Sequence, residues 1–443
     1  MAGREQWASN AGFILATLGC AVGLGNIWRF SYLAGQNGGA AFLLLYLFWV
    51  VVICLPLLIA EFAIGRSTQR EPTMAFEKLG RRHAWWLAGV PSVLGAFVIL
   101  AYYPVIAGWA LRFFIDYLGG GPEARAGVGP EARFGAFIAS WSPLLWQAAI
   151  MSIGVAIVRG GIGRGIELAN RVLMPLLALL LIGLAGYGLT LPGAGAGLAF
   201  VFLPDWSALS DPSVWLAALG QAFFSLSIAT GALITYGSYL PRERALPGPA
   251  LAVALGDTAF AIVAGVMIFP AVFSFGVDPA AGPTLAFVTM PKVFEQMPGG
   301  AVAGAAFFGL LVVAAITSAI SLLEVVVAFL VDRFGIGRAR AALLASLAGF
   351  VVGIPAALGE GPLAWLRISG RSMLDVMDFL ASNLVLPLNA ILIALFVGWV
   401  WRASDAREAT DLGPAMARWW WLSLRYLSPL LIGAVLLRSL GWL

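Results

Sequence analysis

Leu18-Gly19-Cys20-Ala21-Val22-Gly23-Leu24-Gly25-Asn26-Ile27-Trp28-Arg29-Phe30 is the stretch on which the fold turns. It lies inside an apolar run over 11–34, enough to cross a bilayer at about 20 residues. Gly19, Gly23 and Gly25 interrupt the run, and Asn26 and Arg29 follow at once. Glycine costs roughly 1 kcal/mol in a helix interior, and an intramembrane arginine at least about 2.5 kcal/mol. A plain anchor has no use for either. Backbone can leave the helix at membrane depth only where its freed amides and carbonyls meet protein, water or a ligand. The stretch therefore predicts a discontinuous helix whose half-ends face a polar solute and a cation. A glycine packing face with a buried ion pair is the other reading these residues allow.

Composition narrows the class. Hydrophobic residues make up 61% of the 443 and charged residues 11%. That excludes an ordinary soluble domain and a nucleic-acid-binding one. Cys20 and Cys54 both sit in apolar runs and read as buried small hydrophobes rather than a disulfide. The single histidine, His83, lies in a basic loop, so a histidine metal site or triad is excluded. No nucleophile–base set is visible, and no enzyme is expected. Arg4, Glu5 and Gln6 precede the first run without a signal-peptide cleavage pattern.

Eleven segments are long enough to span, near 11–35, 40–64, 85–117, 139–158, 166–190, 213–240, 248–275, 301–331, 341–358, 374–401 and 419–441. Basic residues crowd alternate connections. Arg66, Arg70, Lys78, Arg81 and Arg82 follow segment 2. Arg159 and Arg164, then Arg242 and Arg244, then Arg333, Arg338 and Arg340, then Arg402, Arg407 and Arg418 follow segments 4, 6, 8 and 10. The opposite loops hold only Arg125, Arg133, Lys292, Arg367 and Arg371. By the positive-inside rule the N-terminus is cytoplasmic and the C-terminus external. Two external stretches are long. The 191–212 stretch reads as a Gly, Ala and Pro loop. The 276–300 stretch holds a short amphipathic piece from Leu285 to Gln296, between Pro283 and Pro298, that is either a lid or an ordinary ordered loop.

Segment 6 repeats the oddity of segment 1. Gln221-Ala-Phe-Phe-Ser-Leu-Ser-Ile-Ala-Thr-Gly231 sets Ser225, Ser227, Thr230 and Gly231 in mid-run. Interrupted segments in first and sixth place are spaced as a five-plus-five inverted repeat spaces them. In segment 8, Ala314, Thr317, Ser318 and Ser321 share one helix face. Those hydroxyls either complete a shell of oxygen donors around a hard cation or bond back to their own helix. Glu61, Asp257, Glu324 and Asp378 lie in or beside apolar runs. Arg29 reads as the only strongly buried cation, so one of these carboxylates is expected to pair with it.

At this point the chain resembles the neurotransmitter:sodium symporter family, in its bacterial amino-acid transporter branch with the leucine and tryptophan transporters. Trp7, then Gly19-x-Ala21-Val22-Gly23-Leu24-Gly25-Asn26-x-x-Arg29-Phe30, carries the likeness. Pro56-x-x-x-x-Glu61-x-x-x-Gly65-Arg66, Tyr102-Tyr103, the segment around Phe224, and Thr317-Ser318 follow in family order. The resemblance implies an all-α integral membrane protein of eleven helices, with helices 1 and 6 broken. It implies a first repeat over 11–190, an inverted second repeat over 213–401, helix 11 over 419–441, and one transporter domain over 1–443. It also implies residence in a bacterial inner membrane.

The resemblance implies two sodium ions. The first would take the Ala21 carbonyl, Asn26, Ser225, Asp257 and the substrate carboxylate. The second would take the carbonyls of Gly19, Val22 and Ala314 and the hydroxyls of Thr317 and Ser318. The substrate carboxylate would rest on the amides of Leu24 and Gly25, beside Gly23, and on Tyr103. Its amine would lie near Ala21, the Phe224 carbonyl and Ser227, and its side chain among Ile99, Phe224, Thr230, Ser318 and Leu322. Arg29 with Asp378, plus a Tyr103–Phe224 lid, would gate the outside. Arg4 with Asp332, near Trp7 and Tyr239, would gate the inside.

Four positions depart from the family pattern: Ala229 where many bacterial relatives have Gly, Thr230 where an aromatic or Met is usual, Asp257 for Asn, and Ala261. Ala229 bears on the width of the second break. Thr230 points to a side chain larger than leucine. Asp257 and Ala261 point to transport without chloride. The expected function is sodium-coupled import of a neutral, hydrophobic or aromatic amino acid by alternating access. The rivals are an ω-amino acid, taurine or GABA-like substrate, against which the bulk of Leu24 argues, and a sensor or channel on the same scaffold.

Overall fold

The computed structural model describes residues 4–80, 82–121, 128–276, 285–439 and 442. Arg81, Arg125 and Pro283 lie outside them. Among the described residues the chain is helical throughout, with no strand beyond an isolated bridge between Ile368 and Arg371.

The first span is two helices, α1 (Asn10–Ala21) and α2 (Gly25–Gln36), bent by 52° at the break between them. Ser9 caps α1, its hydroxyl accepting the Gly12 amide. Next come α3 (Ala40–Thr68), the short α4 (Pro72–Gly80) and α5 (His83–Leu118). α6 (Pro130–Ile138) meets α7 (Ser142–Val158) at 78°, so α7 forms the fourth span and α6 lies across its end. α8 (Ile162–Gly188) follows. The sixth span is again split, into α10 (Pro212–Ser225) and α11 (Ala232–Gly237). α12 (Pro247–Ser274), α14 (Gly300–Phe334), α15 (Arg338–Leu358), α16 (Met373–Val400) and α18 (Pro414–Arg438) complete the long helices, with the short α17 (Ala403–Glu408) between the last two. α18 begins well before the expected 419.

Among the described residues, eight helices are long and apolar enough to cross a membrane, and the two bent pairs raise that to as many as ten. The arms of the sixth span are each too short to cross alone, and residues 226–231 separate them.

Two stretches expected to be external differ from expectation in their structure. The 191–212 stretch holds a helix, α9 (Ala194–Phe202). It packs on α12: Phe200 meets Phe269 and Phe273, and Ser274 Oγ accepts the Gly193 amide. Small residues let the backbones approach, which a loop composition conceals. In the 276–300 stretch the helix is α13 (Thr289–Gln296), shorter than expected. Leu285 and Phe287 precede it and are buried, and Phe287 stacks on Phe134.

α14 is the axis of the bundle. Apart from the face of Thr317, Ser318 and Ser321 it is apolar nearly all round, and most of its residues are buried. A helix hydrophobic all round belongs inside the protein. One arm of each broken span, α1 and α11, packs against it, while α8 and α18 turn large apolar side chains outward, as Leu179 and Leu430 do.

Candidate functional site

The break in the first span starts at Val22, whose backbone is extended (φ −75°, ψ 102°). Helical hydrogen bonding stops there, so nearby carbonyls are free to turn toward ligands. Glycines sit where other backbone or side chains come close. A Cβ on Gly23 would lie 2.6 Å from Ser318 Oγ and 3.1 Å from the Tyr103 hydroxyl; one on Gly25 would lie 2.8 Å from the Phe224 ring. The break in the sixth span is built differently. Ser227, Ala229 and Gly231 have φ of 52°, 64° and 77°. The left-handed region costs a non-glycine residue roughly 1–2 kcal/mol, so these positions must be held. Glu61 accepts the Ala229 amide at 2.7 Å, and Asn389 donates to the Ala229 carbonyl at 2.5 Å and to Ser92 at 2.9 Å. Ala229 thus holds a left-handed turn that glycine would adopt without strain.

Between the breaks is a cavity of about 40 Å³. Ala21, Gly23, Gly25, Ile99, Tyr103, Phe224, Ser227, Thr230, Ser318 and Leu322 line it, all expected from sequence; Cys20, Ser321 and Leu386, not expected, also do. Leu24 contributes its amide, which donates to the Tyr103 hydroxyl at 3.4 Å, while its side chain lines an outer cavity. Thr230 turns its hydroxyl to the Ser227 carbonyl at 2.8 Å. The chamber is small in this conformation, since one water needs about 10–15 Å³ on this measure.

Ser225 faces away from the cavity into a buried polar cluster. Asn26 Nδ2 donates to Ser225 at 2.8 Å and to Asp257 Oδ1 at 2.6 Å, and Ser225 donates to Asp257 Oδ2 at 2.7 Å. Asn26 Oδ1 accepts the Gly23 amide at 3.1 Å, tying the cluster to the break. Tyr46 donates to Asp257 at 2.9 Å. Sequence reasoning missed Tyr46, because it stands in an unbroken apolar run. It also missed Gln221, whose amide holds the Gly25 carbonyl at 2.9 Å; Gln221 was visible as the one carboxamide of its stretch. These oxygen donors form a set a hard cation can use.

A second group of oxygens lies where α14 meets α1. Ser318 Oγ is 3.3 Å from the Gly19 carbonyl and 3.4 Å from that of Cys20. Thr317 bonds back to the Ala314 carbonyl at 2.9 Å. Both sequence readings of the hydroxyl face thus have a physical counterpart: Thr317 bonds its own helix, while Ser318 reaches across to the freed end of α1.

Tyr103 and Phe224 line both the inner cavity and an outer one of about 210 Å³, and so form the partition between them. Arg29 and Asp378 line the outer cavity without pairing. Arg29 lies 4.5 Å from the Phe224 ring centroid, with Nη1 buried and unpartnered. Asp378 accepts from Tyr102 at 2.8 Å and from Ser382 at 3.1 Å. The expected ion pair is absent in this conformation because each group has found a nearer partner. Nor is Arg29 the strongly buried cation: it is itself only half-buried. Arg66 is 5% exposed and binds Asp411 and the Ala409 carbonyl, and Arg338 pairs with buried Glu324 at 2.5 Å.

The opposite end is closed. Arg4 pairs with Asp332 at 2.5 Å, donates to Ser238 at 2.8 Å and lies over the Tyr239 ring. Trp7 donates to the Tyr236 carbonyl at 2.9 Å and packs edgewise on Tyr236 and Tyr239. Tyr239 donates to Glu324 at 2.6 Å. Beside this cluster, outside the spans, burial pushes the Glu71 carboxyl above its ordinary range.

The comparisons agree with this geometry. The family model described as the sodium:neurotransmitter symporter family matches residues 4–120 and 137–442. An uncharacterized sodium-dependent transporter of Bacillus subtilis, YhdH, is 38% identical over 98% of this chain and 98% of its own. The dopamine transporter of Bos taurus is 25% identical over 99% of this chain and 69% of its own. A solved structure, MhsT in complex with L-phenylalanine, is 50% identical with a TM-score of 0.92, covering 99% of this chain and 100% of that one. Helical spans, two facing breaks and a family model matching most of the length lead to one conclusion: this chain is a multi-pass membrane transporter that belongs to the sodium:neurotransmitter symporter family.

Proposed function

We propose that the protein carries a neutral amino acid into the cell together with sodium, by alternating access around the cavity between the two breaks. The observation that carries this is the meeting of both breaks with two groups of oxygen donors, Asn26, Ser225 and Asp257 on one side and Thr317 and Ser318 on the other. One sodium would use the first group with the Ala21 carbonyl. A second would use Thr317 and Ser318 with the carbonyls of Gly19, Val22 and Ala314. The substrate carboxylate would take the amides of Leu24 and Gly25 and the Tyr103 hydroxyl, in contact with the first ion. Its amine would face Ala21, the Phe224 carbonyl and Ser227.

The substrate is a hydrophobic or aromatic amino acid. Support comes from the apolar wall of Ile99, Phe224, Leu322 and Leu386, and from the phenylalanine bound in the similar MhsT structure. The wall must move to admit it. Arg29 with Asp378 and the Tyr103–Phe224 partition form the outer gate; Arg4, Asp332, Trp7 and Tyr239 form the inner one. Chloride is not required, because Asp257 already supplies the negative charge.

The same reading makes the split sixth span the eleventh crossing. The two repeats then cover 11–190 and 213–401, and helix 11 covers 419–441. The membrane is a bacterial inner membrane, with the N-terminus cytoplasmic and the C-terminus external. Proteoliposomes test the function: phenylalanine, methionine and leucine should accumulate under an inward sodium gradient. Accumulation unchanged after the gradient is collapsed by a sodium ionophore would contradict it.

A further inference from the structure

α16 and α18 carry an arginine that the transport site does not use. Each helix relaxes into a π turn, Phe396–Val400 and Ser423–Leu427, and the two turns meet. A Cβ on Gly398 would lie 2.6 Å from Arg425 Cα, and Trp399 Nε1 donates to the Arg425 carbonyl at 3.1 Å. A π turn shifts helical register and recurs at functional positions. Here it sets the Arg425 guanidinium among three rings, at 3.9 Å from the centroid of Trp399, 4.7 Å from Trp421 and 5.4 Å from Tyr426. Trp399 and Tyr426 are 56% and 54% exposed, so this cage is open on the face the bundle turns to lipid.

Among the described residues no carboxylate pairs with Arg425. Its Nε is buried without an acceptor, as is Nε1 of Trp421, one turn earlier on the same face. Ring faces hold a cation by roughly 0.5–2 kcal/mol, but they do not satisfy N–H groups lying in the guanidinium plane. A half-buried guanidinium with no carboxylate partner has donors left for an anionic acceptor. Depth narrows the choice. Trp399 is next to the last residue of α16, and the connection beyond it carries Arg402 and Arg407. Trp and Tyr concentrate at the membrane–water boundary, which fits a cage level with the end of α16, although Arg425 itself lies inside α18.

We propose that Arg425, with Trp399, Trp421 and Tyr426, binds the phosphate of an anionic phospholipid at the end of the bundle nearest residues 401–413. A planar guanidinium matches two phosphate oxygens, and a lone cation favours a lipid with net negative charge. Assigning this leaflet as cytoplasmic rests on the orientation proposed above; the binding itself does not.

The test is native mass spectrometry of the full-length protein in detergent, titrated with phosphatidylglycerol, phosphatidylcholine or inorganic phosphate. Wild type, Arg425→Gln and Arg418→Gln are compared, Arg418 being an exposed arginine of the same helix. The first phosphatidylglycerol should bind wild type ahead of phosphatidylcholine, and Arg425→Gln should weaken it about fivefold, the worth of one basic side chain at an anionic surface. Arg418→Gln should change it little. Equal binding by wild type and Arg425→Gln, an equal loss in Arg418→Gln, or binding of inorganic phosphate in preference to the lipid would overturn the proposal. If Arg425→Gln does not fold, a phosphatidylglycerol carrying a headgroup diazirine decides on wild type. Cross-links at 396–400 and 421–428 support the site, and labelling elsewhere overturns it.

Discussion

Asp257 is the residue on which most of the site chemistry rests. It is fully buried, and its carboxylate is gripped by Asn26, Ser225 and Tyr46 rather than by an arginine or lysine. A buried carboxylate with only neutral donors has its charge available for a cation. At 4 Å and an effective dielectric near 20, two unit charges interact by about 4 kcal/mol. Asp257→Asn should therefore lower sodium affinity at least tenfold in a sodium titration of the purified protein, with its fold retained. On the proposed reading the same charge makes a bound chloride redundant. Replacing chloride by gluconate should leave sodium-driven uptake unchanged, and a large loss would refute that role for Asp257. Gly23 is the steric counterpart. A methyl there meets Ser318 and Tyr103 at 2.6 and 3.1 Å. Overpacking of this kind costs about 1–3 kcal/mol, so Gly23→Ala should weaken substrate binding about tenfold or more. Substrate titration of the monodisperse variant checks it.

The two helix breaks use different devices. The first is written in glycine, and Gly19, Gly23 and Gly25 within an apolar run make it legible from the amino-acid order alone. The second is held by tertiary contacts, Glu61 and Asn389 on a left-handed Ala229. Its hydroxyls and Gly231 announce a break, but not what keeps it open. Tyr46 is illegible for the same reason: its role depends on which helix it faces. α9 is hidden because small residues read as loop until a neighbour offers a surface. Arg29 and Asp378 show the limit of counting charges, since here Arg29 lies over a ring and Asp378 accepts from two hydroxyls instead of pairing. Removing the Glu61 acceptor leaves the Ala229 amide buried and unpaired, at roughly 1–3 kcal/mol; Glu61→Ala should lower the melting temperature measurably by thermal shift. On α14, Thr317→Ala with Ser318→Ala should reduce sodium affinity while leaving the melting temperature in choline unchanged. A packing defect would do the reverse.

At the scale of the whole molecule the two ends differ. The outer cavity reaches the Tyr103–Phe224 partition, while Arg4–Asp332, Trp7 and Tyr239 close the other end. Charged hydrogen bonds of this kind contribute about 1.5–3 kcal/mol, enough to shift a two-state population about tenfold or more. Arg4→Ala should raise the labelling rate of a Thr235→Cys reporter from the inner side by that factor, in a background lacking Cys20 and Cys54. In the proposed arrangement the substrate and the first sodium share one site. A substrate carboxylate in contact with a sodium ion, away from bulk water, couples the two binding events, and the coupling is reciprocal. Equilibrium binding of radiolabelled phenylalanine, methionine and leucine to the purified protein, in sodium and in choline, measures that coupling without the complication of transport. Saturable binding of at least one of them in sodium, and its loss in choline, is the expected result. Binding of equal affinity in the two salts would contradict a shared site.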